Sequence, residues 1–401
     1  MKQTLKVRLS VMMFLQFFIW GAWAVTLGTY LGMTMNFDGT EIGLIYGTSA
    51  IAAIVSPLIV GFVADRFFST QKIYAFLHLA GAACLMMASY AEDFNSIYLI
   101  LLLYGICYMP TLALANSICF HNMSDPDKYF PAIRVLGTFG WIVAGLLVGF
   151  WEIEQDQTPL QLAALVSLML GLYAFTLPGK SPNNMPIEKP HWRDVFRLVI
   201  KGPFFIVFIS SIFICIPLAF YYNFTNLFLN EVGVVNAAGK MTIGQMSEMA
   251  FLLLMPLMFR RLGVKWMMLI GMFAWALRYL LFAYGYESDQ TIWMLYLGIA
   301  LHGICYDFFF VTGQIYADQK FPNHLKSSVQ GLMTVATYGV GMFIGSLVSG
   351  TVVTQNTLDG TKDWLSIWWV PAMMALVVMV GFYMFFNEKH KKQSKEASEA
   401  A

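Results

Sequence analysis

"GICYMPTLALANSICF", residues 105–120, comes back 198 residues later as "GICYDFFFVTGQIYAD", residues 303–318. Two weaker matches keep nearly the same spacing: Ile-Gly at Ile42 and Ile243, and proline at Pro57 and Pro256. Each match is weak alone, because glycine, isoleucine and alanine are common in apolar helices. Taken at one offset, they lay the second apolar run of the chain on the eighth and the fourth on the tenth. The pattern is a tandem repeat, six apolar runs and then six more.

Composition sets the medium. Of 401 residues, 58% are hydrophobic and 12% charged, against roughly 25% charged in a soluble domain. Runs long enough to cross a hydrocarbon core, about 20 residues each, are predicted at 8–32, 41–64, 73–91, 96–120, 131–151 and 160–177, then at 203–229, 241–259, 265–286, 291–317, 326–352 and 364–386. The net charge of +1 hides an asymmetry between alternate loops. Twenty of the 24 Lys and Arg fall on one side, including Lys2, Lys6 and Arg8 before the first run, the cluster Lys180 to Lys201, and Lys389 to Lys395 in the tail. The opposite loops hold only Lys240 and Lys362. The excess of positive charge in cytoplasmic loops places both termini in the cytoplasm, which requires an even number of crossings.

The stretch "PGKSPNNMPIEKPHWRDVFRLVIKGP" (178–203) divides the halves. The expected organisation is an N-terminal six-helix bundle over 1–177, a cytoplasmic linker over 178–202, a C-terminal six-helix bundle over 203–387 and a disordered cytoplasmic tail over 388–401. The five cysteines lie within predicted spans or at their ends, so neither a disulfide framework nor a zinc site is expected. A parallel six-plus-six repeat, with substrate held between the halves near the midplane, is the architecture of the major facilitator superfamily. The loop "GFVADRFFSTQK" (61–72) resembles that superfamily's Gly-x-x-x-Asp-Arg signature. Its Asp65 and Arg66 are candidates for a conformational latch; a plain solvated loop is the other reading.

Four charges remain inside the membrane: Arg134 in span five, Glu248 in span eight, Arg278 in span nine and Asp307 in span ten. Each costs on the order of 2.5–3.5 kcal/mol near the bilayer centre, so each must be paired, solvated or functional. At about 1.5 Å per residue, Arg278 lies roughly 20 Å and Asp307 roughly 15 Å from the cytoplasmic ends of their spans. The two are expected to interact, either as a static salt bridge or as a proton switch in which the arginine lets go of the carboxylate during a conformational change.

Uncharged polar groups cluster with these residues. Arg134, Thr138 and Trp141 fall at i, i+4 and i+7, on one helical face. Gln245 and Glu248 share a face at i and i+3, and His302 and Tyr306 at i and i+4. Span seven adds Tyr222, Asn223 and Asn226 in "YYNFTNLFL" (221–229). Lone polar residues in membrane helices commonly serve as interhelical glue. As a set drawn from both halves, these groups would suit a neutral polyhydroxylated ring, with aromatics to stack on it and amides, hydroxyls and carboxylates to hydrogen-bond to it.

Six strings carry a closer resemblance: "FLQFFIWGAWAVTLGTYL" (14–31), "FDGTEIGLIYG" (37–47), "YMPTLALANSI" (108–118), "FPAIRVLGTFG" (130–140), "AWALRYLLFAYG" (274–285) and "YDFFFVTG" (306–313). Together they resemble the nucleoside:proton symporter family, from span one to span eleven. The resemblance implies import of purine and pyrimidine nucleosides driven by the proton gradient. It assigns Arg134 and Thr138 to the family's span-five Arg and Thr, Gln245 and Glu248 to its span-eight Gln and Glu, and Tyr306 and Asp307 to its span-ten aromatic and Asp. There are departures. Trp141 stands where the family pattern has Phe, His302 where it has Tyr, and Ala219 and Tyr222 where it has Gln and Asn.

The expected mechanism is alternating access, the halves rocking around a central nucleoside site. Arg134, Thr138, Trp141, Tyr222, Asn223, Asn226, Gln245, Glu248, His302 and Tyr306 are the expected substrate contacts, and Glu248, Asp307 and Arg278 the proton-coupling groups. No cofactor is expected beyond the proton gradient as energy source. The expected partners are nucleoside, protons and the lipid bilayer, with no nucleic acid and a monomer as the working unit. The expected location is the bacterial inner membrane, multi-pass. A sugar or oligosaccharide:proton symporter of the same fold and a non-transporting substrate receptor are the rival readings. Enzyme activity is not expected, since HExxH, CxxC and Gly-x-Ser-x-Gly are all missing and the six histidines are dispersed.

Overall fold

The computed structural model describes residues 3–59, 69–123, 125–178, 192–200 and 202–387. Its first half contains α1 (Gln3–Thr34), α2 (Gly39–Ile59), α3 (Thr70–Ala88), α4 (Phe94–His121), α5 (Pro126–Phe150) and α6 (Thr158–Ala174). The second contains α7 (Pro203–Glu231), α8 (237–262), α9 (264–284), α10 (Ile292–Lys320), α11 (Ser328–Gln355) and α12 (Trp364–Phe385). α8 and α9 are continuous except at Gly263, whose φ of 69° and ψ of 175° break the helix; glycine takes that backbone without a Cβ penalty. A short helix, Trp192–Val199, precedes α7. Twelve apolar helices result among the described residues, at the places expected from hydropathy. The latch candidates Asp65 and Arg66, most of the linker at 178–202 and the tail at 388–401 lie outside the described residues.

Helix starts obey capping chemistry. Asp93 accepts from the Ser96 amide at 3.0 Å and opens α4. Asp363 accepts from the Ser366 amide at 3.2 Å and hydroxyl at 2.6 Å and opens α12. Such side-chain oxygens satisfy N–H groups that have no partner within the helix. In both loops the Ser hydroxyl and amide hold the carboxyl below its ordinary range. Three helices relax into a π-helical stretch, at Tyr30–Thr34 in α1, Asp307–Val311 in α10 and Val335–Gly341 in α11.

The repeat read from "GIC" is a packing repeat. A Cβ on Gly105 of α4 would come within 2.9 Å of Ala52 Cβ on α2, and one on Gly303 of α10 within 2.6 Å of the Glu248 amide nitrogen on α8. The same glycine lets the fourth helix of each half close on the second, as small residues do wherever membrane helices approach closely.

A buried polar network holds the first half. Gln16 of α1 donates to Thr111 Oγ1 at 2.8 Å, its amide oxygen accepts from the Tyr74 hydroxyl at 2.6 Å and lies 2.9 Å from His78 Nε2, and its backbone oxygen accepts from the Tyr108 hydroxyl at 2.6 Å. α1, α3 and α4 are thereby fixed in register, with each of these polar groups paired, as the low-dielectric interior requires.

Between the halves, every hydrogen bond among the described residues lies at the face away from the termini. Thr29 donates to Asn226 Oδ1 at 2.5 Å, the Thr40 amide to Thr354 Oγ1 at 2.8 Å, and Glu154 accepts three bonds from α7 and α8. Backbones touch there too, Gly43 of α2 lying against Ser346 and Gly350 of α11.

Candidate functional site

α1 and α5 face α7, α8, α10 and α11 across the centre of the molecule. From the first half, α5 projects Arg134, half-buried, with its guanidinium carbon 4.1 Å from the centre of the Phe17 ring on α1. That cation–π contact keeps the charge on the central face. Thr138, one turn on, is also half-buried. Trp141, one further turn on, packs edge to face against Trp20, ring centres 5.5 Å apart. The i, i+4, i+7 stripe expected from sequence is therefore a real face.

The second half answers with Glu248, whose side chain keeps 28% of its surface exposed and lies within electrostatic reach of Arg134. A cation and an acid thus approach from opposite halves. Glu248 Oε2 is 3.8 Å from His302 Nε2. His302 itself is buried and stacked between aromatics, its ring centre 5.1 Å from Tyr221 and 5.9 Å from Tyr306. The Tyr306 hydroxyl is 2.5 Å from the Tyr338 hydroxyl. Tyr338 belongs to α11 and has no mark in the sequence, where it carries no charge and stands in no polar stripe.

Toward the face away from the termini this central space pinches shut. Gly21, Thr26 and Trp141 from the first half meet Tyr222, Met241, Thr242 and Gln245 from the second around about 10 Å³ of free space. That is room for a single water. Glu154, in the loop between α5 and α6, sits beyond this constriction, 4% exposed. Its carboxylate accepts from Asn226 Nδ2 at 2.8 Å, Asn230 Nδ2 at 2.9 Å and the Ala238 amide at 2.9 Å. Sequence patterning does not single out Glu154 or Asn230, because both stand at span ends, where polar residues are ordinary.

Three expectations meet a different arrangement. Asn226 is committed to Thr29 and Glu154, so it joins the halves instead of lining the central space. Asn223 is buried and donates to Ser346 at 3.2 Å and Ser349 at 3.3 Å, which ties α7 to α11. Both face a neighbouring helix, the glue role that amides commonly take in membranes. Arg278 and Asp307 form no ion pair. The Arg278 Nε donates to the Gly298 carbonyl at 2.9 Å and the guanidinium lies over the Tyr221 ring at 4.2 Å and the Trp275 ring at 4.9 Å. Its two terminal nitrogens, and both carboxylate oxygens of Asp307, have no hydrogen-bond partner among the described residues. Depth arithmetic places two residues at one height; it says nothing of the direction in which each side chain leaves its helix.

Comparison with known proteins agrees with the fold. Residues 1–391 match the model of the family described as nucleoside H+ symporter. The chain is 42% identical over 405 residues to a putative nucleoside transporter, YegT, of Escherichia coli, covering 97% of this chain and 95% of that one. It is 34% identical to the xanthosine permease of the same organism, covering 96% and 97%. The crystal structure of the nucleoside transporter NupG superimposes with a TM-score of 0.89 at 33% identity, over 96% of this chain and all of that one. A POT family transporter, at 14% identity and a TM-score of 0.74, shares the fold. The chain belongs to the nucleoside H+ symporter family.

Proposed function

We propose that this chain imports purine and pyrimidine nucleosides together with protons, binding the nucleoside in the space between Arg134 on one half and Glu248, His302 and Tyr306 on the other. The observation that carries the reading is the placement of Arg134, held over the Phe17 ring at 4.1 Å, on one half and of Glu248, 3.8 Å from the stacked His302, on the other, within electrostatic reach of each other. A nucleoside presents a flat ring for the aromatics and polar edges for the charged groups. The termini face the cytoplasm of a bacterial cell, the chain lies in the inner membrane, and a monomer is the working unit.

In this conformation the inter-half hydrogen bonds close the outer face, and among the described residues no such bond lies toward the terminal face. The molecule is therefore read as open to the cytoplasm, in the state that releases substrate. Import requires the reverse state, in which Glu154 lets go of α7 and α8 and the terminal ends close. Rocking of two rigid halves accomplishes this without unfolding a helix.

Proton coupling falls to Glu248 and Asp307. Asp307 is buried with no donor to either oxygen. An ionised carboxylate so placed is costly, and taking up a proton removes the cost. Glu248 attracts Arg134 only while ionised. When a proton arrives from outside, that attraction across the site is lost and both side chains are freed to hydrogen-bond a nucleoside. When the proton leaves to the cytoplasm, the attraction returns and competes with the bound substrate. Arg278, buried and held by aromatic faces and one carbonyl, keeps a fixed positive charge beside Tyr221 and so beneath His302.

The test is uptake of radiolabelled uridine and adenosine into proteoliposomes, with and without an inward proton gradient, for the wild type and Asp307→Asn. Gradient-driven accumulation in the wild type, lost in the variant while downhill exchange of nucleoside persists, is the expected result. Accumulation undiminished in the variant refutes the role of Asp307. Failure of the wild type to accumulate either nucleoside refutes the substrate.

A further inference from the structure

Tyr338 stands in the π-helical stretch of α11, and the Tyr306 that meets it immediately precedes the π-helical stretch of α10. Single-turn π-helical segments collect at functional sites, because the wider turn re-aims a side chain that a regular helix would point elsewhere. Here the two turns bring two phenols together at 2.5 Å. Tyr338 is 37% exposed, and its partner Tyr306 stacks 5.9 Å from His302, which lies 3.8 Å from Glu248. Arg134 from the opposite half and Glu248 both act on it electrostatically, and Tyr222 lies within the same reach.

A phenol has one O–H and can also accept. Whichever hydroxyl donates within the pair, one proton is spent and one O–H remains, side by side with unused lone pairs. Neither hydroxyl makes another hydrogen bond among the described residues. Because either oxygen can be the donor, the pair offers an adaptable donor and acceptor at adjacent positions. The ligand group that complements it is another pair of adjacent, freely rotating hydroxyls. A purine or pyrimidine edge differs in that its donors and acceptors are fixed and change from base to base; the charged groups Arg134 and Glu248 suit it better.

We propose that Tyr338, paired with Tyr306, receives the vicinal diol of the ribose and thereby sets a preference for ribonucleosides over 2′-deoxyribonucleosides. The assignment rests on the nucleoside reading above and extends it to a residue and a sugar. Tyr338 acts by direct contact with substrate; its hydroxyl also engages that of Tyr306.

The experiment measures KM and kcat for uridine and 2′-deoxyuridine in proteoliposomes, for the wild type, Tyr338→Phe, Tyr306→Phe and the double variant. Losing one neutral hydrogen bond predicts a rise in the uridine KM of about five- to tenfold in Tyr338→Phe. The 2′-deoxyuridine KM stays within about twofold and kcat is unchanged for both, so that selectivity collapses. The double variant is no worse than about the worse single one, since the two hydroxyls act as a unit. Transport of 2′-deoxyuridine at the wild-type rate shows that the variant is folded. Equal effects on both nucleosides, or unchanged selectivity, overturn the assignment while leaving nucleoside transport intact. Absence of uptake of both by the wild type overturns the nucleoside reading and this assignment with it.

Discussion

Replacing Glu154 by Ala should open the outer face. In the present state its carboxylate accepts three hydrogen bonds from the opposite half, from the Asn226 and Asn230 side chains and the Ala238 amide. A hydrogen bond to a charged acceptor contributes about 1.5–3 kcal/mol net. The three donors share one carboxylate and regain water when the halves part, so their joint contribution to closure is taken as about 2–4 kcal/mol, below the simple sum. In the outward-open state the carboxylate is solvated and contributes nothing to holding the halves together. The substitution therefore moves the ratio of outward-open to inward-open molecules by about 30- to 700-fold. The assay places a cysteine at Thr26, 2% exposed at the outer constriction, and tracks its modification by a membrane-impermeant maleimide added from outside. With Glu154 intact the reaction is slow; with Glu154→Ala it accelerates toward the ceiling set by an open gate. Asn226→Leu, which removes the Thr29 and Glu154 bonds together, should act in the same direction. An unchanged labelling rate in a variant of normal thermal stability would refute the clamp and, with it, the assignment of this conformation as closed to the outside.

The remaining expectations concern packing and charge. Gly303→Leu should abolish uptake and lower the melting temperature of purified protein, at a cost of about 1–3 kcal/mol, because a Cβ there already meets the α8 backbone at 2.6 Å; Gly331→Ala, where a Cβ meets nothing within 4 Å, should behave as wild type, and equal tolerance of both would falsify the close approach of α8 and α10. Arg278→Lys should destabilise the protein despite conserving charge, since a lysine can neither lie flat over Tyr221 and Trp275 nor present the Nε donor to Gly298; an unaltered melting temperature would mean that only the charge matters. Gln16→Leu strips partners from Thr111, Tyr74 and His78 together and should cost about 2–4 kcal/mol of stability, read as a fall in melting temperature that the single change Tyr74→Phe reproduces only in part.

How much of the molecule is visible in the sequence depends on what kind of signal each residue gives. Span positions, the tandem repeat and the Arg134 stripe are legible because bilayer thickness and the 3.6-residue turn impose them on any sequence. Glu248 and Asp307 stand out because an acid in an apolar run is expensive and so demands a reason. Polar residues at span ends give no such signal: Asn230 and Glu154 look like ordinary loop-proximal groups until α7, α8 and the loop after α5 are seen to converge. Asn223 and Asn226 mislead for the opposite reason, being amides in mid-span whose partners, Ser346, Ser349 and Thr29, lie more than a hundred residues away in sequence.

The failed pairing of Arg278 with Asp307 bears on mechanism. Asp307 is the first residue of a π-helical stretch, so the side chains after it leave α10 in directions that a regular α-helix would not give them. The same stretch leaves Thr312 donating to the Asp307 backbone carbonyl at 3.5 Å instead of serving the carboxylate. A buried acid with no donor and a buried guanidinium with two idle nitrogens, on helices that pack against each other, are each costly, and a shift of α10 that paired them would lower both costs at once. Protonation of Asp307 relieves the acid without that shift. On the proposed coupling, proton occupancy and the position of α10 would be alternative remedies for one strain, the minimum a carrier needs if a proton is to be exchanged for a conformational change. Arg278→Gln removes one of the two remedies. It should therefore leave nucleoside binding in place while uncoupling uptake from the proton gradient, measured as downhill exchange that survives and accumulation that does not; retained accumulation would show that Arg278 only packs.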